Sequence, residues 1–164
     1  MTGWKRVFGI IWTGQLISTL SSAIVGYAVV FWLSMETKSA EVLAYATIAA
    51  LLPQLVIGPL TGVFIDRWDR RITMILADIF IAVCSFIMAL MFLKGNVKIS
   101  FVYLLLVMRS LGSAFHVPAM QASVPLLAPE AELMRISGVN QVIQSVSTIA
   151  GPALAALMIS LLDM

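Results

Sequence analysis

Arg109 stands in the run VMRSLGSAFHVPAMQASVPLLAPE, an arginine among apolar residues. It lies about ten residues, or 15 Å of helix, in from the end of its apolar stretch near residue 99, close to the middle of a bilayer. A guanidinium at that depth costs at least about 2.5–3.5 kcal/mol on insertion scales and is tolerated where it faces a bundle interior or water. Arg109 therefore either pairs with a structural partner or handles charge inside the protein. Asp78 poses the same question, being the one acid well inside a span, about seven residues or 10 Å from its charged end. A titratable carboxyl there suits a proton relay, with structural pairing as the alternative. His116, the lone histidine, lies near the end of its span, where it reads as a hydrogen-bonded structural residue rather than a proton carrier.

The densest charge falls in TGVFIDRWDRR, directly after a charge-free run from 42 to 65. Gly58, Gly62 and Asp66 are spaced four apart and share one helix face. The two glycines allow close approach by a neighbouring helix. Asp66 falls at a helix C-terminus, where an anion meets the negative end of the dipole at a cost of some tenths of a kcal/mol. It needs a cation or another helix's N-terminus, and Arg67, Arg70 and Arg71 offer donors suited to bidentate pairing with carboxylates. A loop made cationic only to stay on the cytoplasmic side explains the same residues. Two polar stripes complete the candidates: Gln15, Ser18 and Ser22 in the first run, and Asn140, Gln144 and Ser147, continuing to Gly151, in the last. In a bilayer such stripes meet other helices or water, so they either pack together or jointly line a cavity for an amphipathic substrate. Pro152 should bend the last helix, because it removes a backbone donor and clashes with the preceding turn.

The elements that must position these residues follow from composition. The chain is 61% hydrophobic and 11% charged, whereas a soluble domain carries about a quarter charged residues. Five near-charge-free stretches, at about 7–33, 42–65, 72–93, 99–118 and 137–162, are each long enough as helices to cross roughly 30 Å of hydrocarbon. The alternation of a membrane barrel strand does not occur. The expected fold is all-α, a polytopic helical membrane protein forming one membrane domain over residues 1–164. The first stretch is about twice the length of a signal-peptide core.

Lys5, Arg6, Arg67, Arg70, Arg71 and Arg135 fall on one side of these spans, and Lys38, Lys94 and Lys98 on the other. This bias places the N-terminus and the DRWDRR loop in the cytoplasm of a multi-pass cell-membrane protein. Trp4 and Trp32 bracket the first span about 42 Å apart, as interfacial anchors would. The net charge of +2 forms no basic stripe, so nucleic acid is not an expected partner. Cys84 is the lone cysteine, a packing residue that can form no internal disulfide. No zinc-binding pair, nucleophile–base set or phosphate-cradling glycine loop occurs, so no metal, cofactor or enzymatic activity is expected. Helical transporters are commonly built from repeats of three helices, and five complete no such unit. Further C-terminal helices are therefore expected partners, and the chain is expected to be a fragment, inactive alone.

GVFIDRWDRR resembles the G-x-x-x-D-R-x-x-R-[RK] motif between helices 2 and 3 of the major facilitator superfamily. The resemblance implies the first five helices of an N-terminal half. It also implies that Gly62 permits close packing, that Asp66 meets a helix of the C-terminal half, and that Arg67, Arg70 and Arg71 form an ionic latch of the outward-facing state. Asp69 replaces a frequent glycine of the motif and is positioned to compete for the arginines. Arg109 matches the superfamily's intramembrane arginine in helix 4, which implies a part in proton coupling, although Gly112 follows in place of the usual R-x-x-Q-G. That departure, with WKRVFGIIWTGQLIS and IQSVSTIAGPALAALM, resembles macrolide-efflux (Mef-type) permeases over nearly the whole chain. Gly151-Pro152 is similar to the superfamily's helix-5 antiporter motif, with Ala155 and Ala156 in place of its paired glycines. Many such antiporters carry a carboxylate in helix 1, where this chain offers only neutral polar groups such as Thr19 and Ser21. The expected function is proton-coupled export of an amphipathic drug across the lipid bilayer, and the alternative is a non-transporting membrane fragment or assembly partner.

Overall fold

The computed structural model describes residues 3–65, 67–95, 97–127 and 129–161, those at 3–5 and 127 by backbone alone. The described residues form five long helices, α1 Gly3–Thr37, α2 Ala40–Ile65, α3 Arg70–Leu93, α4 Ile99–Leu127 and α5 Leu133–Leu161, with a 3₁₀ turn at Glu130–Glu132. All five are long and apolar enough to cross a membrane. Their apolar side chains also cover outward faces, as at Leu55 (74% exposed) and Ile149 (76%). A helix apolar all round needs lipid or further helices against it. The chain is thus the polytopic helical membrane fold that its composition predicts.

Short connections are closed by local chemistry. Asp69 caps α3, its carboxylate accepting from the Ile72 amide at 3.0 Å while its carbonyl accepts from the Thr73 hydroxyl at 2.9 Å. Gly95 ends the same helix in the left-handed region (φ 64°), which a residue without Cβ enters at no steric cost.

The helices gather into two packed units, one of α1, α5 and the last turn of α4, the other of α2, α3 and the rest of α4. In the first unit α1 and α5 run parallel. The Trp12 indole donates to Asn140 Oδ1 at 2.6 Å, and about three turns further Gly151 sits against Ala23 and Tyr27. A Cβ on Gly151 would come within 3.0 Å of the Ala23 Cβ, so the absence of a side chain sets the helix separation.

In the second unit α4 runs parallel to α2 and antiparallel to α3. Its extent departs from the expected end at residue 118, because Pro118 does not stop it. Proline removes the donor that would bond the carbonyl four residues earlier, which is Ala114, and leaves that acceptor open. Thr61 of α2 supplies the donor, its hydroxyl 3.0 Å from the Ala114 carbonyl and 2.7 Å from its own Gly58 carbonyl. The favour is returned one helix over. Pro53 interrupts α2, and the next amide, of Gln54, donates to Ser110 Oγ of α4 at 3.2 Å. At Pro53 and Pro118 a hydroxyl from the facing helix thus takes part in the hydrogen bonding beside the break, one of the ways broken helices are satisfied where no water reaches. The Tyr103 hydroxyl ties the other end of the pair by donating to the Val42 carbonyl at 3.1 Å.

Candidate functional site

Arg109 and Asp78 both lie on the seam between α3 and α4, and each faces a partner across it. Arg109 is 9% exposed, and its Nη1 donates to Ser85 Oγ at 2.8 Å. Ser85 in turn donates to the Ile81 carbonyl at 2.7 Å, so one hydroxyl ties the guanidinium to the α3 backbone. Two turns nearer the α3 N-terminus, His116 Nδ1 lies 3.1 Å from Asp78 Oδ1. Residues seven apart on α3 thus meet residues seven apart on α4, in the order an antiparallel pair requires. Between the two contacts Gly112 packs on Ile81, where a Cβ would come within 2.6 Å of Ile81 Cγ1. The seam is therefore held tight at its centre, and a polar contact lies on each side of that point. Of the carboxylate, imidazole and guanidinium on this seam, the first two are of the kind that can bind and release a proton, whereas the guanidinium keeps its charge.

Sequence reasoning singled out Arg109 and Asp78, read His116 as a hydrogen-bonded structural residue without naming its partner, and passed over Ser85. A signal was present, since Asp78 and Ser85 share a spacing with Arg109 and His116. Across the same two helices, on another edge, an apolar groove of about 490 Å³ is lined by Trp68, Leu76, Phe80, Leu111, Gly112 and Phe115. Trp68 stacks on Phe115 with ring centroids 6.4 Å apart, fixing the α2–α3 connection against α4.

Of the loop motif, Asp66 lies outside the described residues. Arg67 and Arg71 are exposed and Arg70 half-buried, and none of them makes an ion pair among the described residues. Asp69 is taken up as the α3 cap. An added Cβ at Gly58 or Gly62 would meet nothing within 4 Å, so their face of α2 is left open by the described residues.

In the α1–α5 unit the two expected stripes face one another only in part. Gln15 and Ser147 are buried, Ser18, Ser22 and Asn140 half-buried, and Gln144 exposed. Asn140 is engaged by Trp12, a partner the sequence did not point to. Gln15 and Ser147 are thus enclosed within the unit while Gln144 faces outward, and the groove of about 420 Å³ in this unit lies further along, lined by Phe31, Ser34, Met35, Ala156, Ile159 and Ser160. Pro152 is carried inside α5, which continues to Leu161. No group of His, Cys, Asp and Glu that could hold a metal ion occurs among the described residues.

The sequence profile of the Major Facilitator Superfamily matches residues 11–164. The chain is 41% identical over 161 residues to macrolide efflux protein A of Streptococcus pyogenes, an alignment covering 98% of this chain and 40% of that protein. It is 40% identical over 126 residues to macrolide efflux protein A of Enterococcus faecalis, covering 77% of this chain and 39% of the other. An uncharacterized MFS-type transporter of Bacillus subtilis, YfiS, is 34% identical over 113 residues, covering 66% and 25%. The chain thus spans about 40% of the length of the macrolide efflux proteins it matches. No solved structure matches it significantly. A profile match over nearly the whole chain, on five membrane-length helices with an arginine enclosed in the fourth, establishes that this chain belongs to the major facilitator superfamily.

Proposed function

We propose that this chain is the N-terminal part of a secondary active transporter that exports amphipathic drugs, macrolides among them, in exchange for protons. The observation that carries this reading is the 41% identity across 98% of the chain to a protein named for macrolide efflux. Arg109 supports the coupling half of it: a guanidinium enclosed in a membrane-length helix is costly enough to ask for a functional return. Arg109 and Asp78 act in proton coupling. The open face of Gly58 and Gly62, with Asp66, Arg67, Arg70 and Arg71, receives a helix of the C-terminal half as an ionic latch. Gln15, Ser18, Ser22, Asn140, Gln144 and Ser147 line the central cavity once that half closes it, and Gly151 and Pro152 set the course of α5 beside it. The N-terminus and the arginine loop face the cytoplasm.

The test replaces Arg109 with lysine in the complete transporter. Lysine keeps a positive charge but loses the planar fork that holds its partners. The expected result is normal abundance in the membrane and retained drug binding, with loss of drug uptake driven by a pH gradient in inverted vesicles. Uptake at wild-type rate would remove Arg109 from coupling, and absent protein would assign it to structure alone.

A further inference from the structure

His116 plays no part in the reading above, yet it is the group nearest to the one acid inside the α3 span. Its Nδ1 lies 3.1 Å from Asp78 Oδ1, and the two side chains are 13% and 38% exposed. The imidazole is thus the more enclosed of the two, while the carboxylate keeps an open side. The charged and titratable groups on the elements packed around it are Arg70, Arg71 and Cys84 on α3, Tyr103 and Arg109 on α4, Glu41 and Tyr45 on α2, and Arg67 and Asp69 in the connection. Of these, Arg109 shares the seam, seven residues or about 10 Å along α4 from His116. Gly112 against Ile81 holds the two helices close between the two contacts.

We propose that His116 and Asp78 together form the proton-binding site of this part of the protein, with His116 carrying the proton and Asp78 holding it; the proposal rests on the proton-coupled reading above. One proton from the aqueous phase bonds to the imidazole, turning a net negative pair into a neutral imidazolium–carboxylate pair, and its release reverses the change. A neutral pair can be closed off from water, whereas a lone carboxylate resists desolvation. Proton binding therefore sets which side of the seam can close, and Arg109, tied to α3 through Ser85, feels the same movement.

The experiment uses the complete transporter in proteoliposomes with erythromycin as the drug, comparing wild type with His116→Gln, Asp78→Asn, the double variant and Asp78→Glu. The expected result is loss of uptake driven by a pH gradient in the first three, no further loss in the double variant, and drug counterflow without a gradient unchanged in all. Asp78→Glu keeps the carboxylate and retains gradient-driven uptake with a displaced pH profile. Gradient-driven uptake at wild-type rate in His116→Gln overturns the proposal. Selective ¹⁵N-histidine labelling of the complete transporter, with the His116 resonance identified by its loss in His116→Gln, gives this imidazole to follow by NMR. Its titration midpoint should move on Asp78→Asn, and an unchanged midpoint overturns the pair even where a variant is poorly made. A wild-type protein that takes up no drug refutes the transport reading instead, and the NMR titration still decides the pair.

Discussion

Replacing Thr61 with valine removes one hydroxyl and keeps the shape of a side chain with no exposed surface. In the native packing that hydroxyl reaches the Ala114 carbonyl, left without a helical donor by Pro118. Leaving a buried acceptor unpaired costs about 1–3 kcal/mol in water-soluble proteins. Between membrane helices, hydrogen bonds measure lower, about 0.6 kcal/mol on average and 1.7 at most, because separated helices also find partners. The second scale governs here, since the Thr61 hydroxyl can fall back on its own Gly58 carbonyl when α2 and α4 part. We expect Thr61→Val to destabilise the protein by about 1 kcal/mol, roughly a fivefold shift in the folded ratio. The assay is reversible unfolding in mixed micelles by titration with SDS, followed by circular dichroism. A double-mutant cycle with Pro118→Ala isolates the cause. Alanine restores an amide at residue 118, which bonds the Ala114 carbonyl within α4, so Thr61→Val should cost almost nothing in that background, a coupling of about 1 kcal/mol. Equal costs in the two backgrounds would refute the claim that the threonine serves the proline break.

At Gly151 a methyl group would meet the Ala23 Cβ at 3.0 Å and the Tyr27 ring at 3.2 Å, so Gly151→Ala should destabilise α1–α5 packing by about 1–3 kcal/mol, with Ala23→Gly recovering most of it. The same change at Gly62, where nothing lies within 4 Å, should leave stability in micelles as it is, and an equal loss at both sites would defeat the argument from close approach. For orientation, cysteines introduced at Ser39 and Gly95 should react with an impermeant maleimide on intact cells while one at Trp68 should not; Cys84 is buried and supplies a low background. Labelling at position 68 would invert the topology.

Residue types alone determined the class of this protein, its five spans and the two charged side chains within them. Transfer from water to hydrocarbon is a property of each residue, summed locally along some twenty positions, and needs no knowledge of neighbours. The α3 cap is local too, for Asp69 bonds an amide three residues on, although in the sequence it drew notice only as a departure from a motif. The end of α4 was not legible. Pro118 lies where the apolar run was expected to end, and the threonine that bonds the carbonyl it leaves open comes from α2, so nothing in the α4 sequence alone points to it. That Ser85, His116 and Trp12 are the partners was not legible for the same reason, since a polar contact across a seam depends on the register and rotation of two helices and not on either sequence alone. Equal spacing of Asp78 with Ser85 and of Arg109 with His116 was visible in the chain, but it becomes a contact only where Gly112 lets α3 and α4 approach closely enough for short side chains to meet.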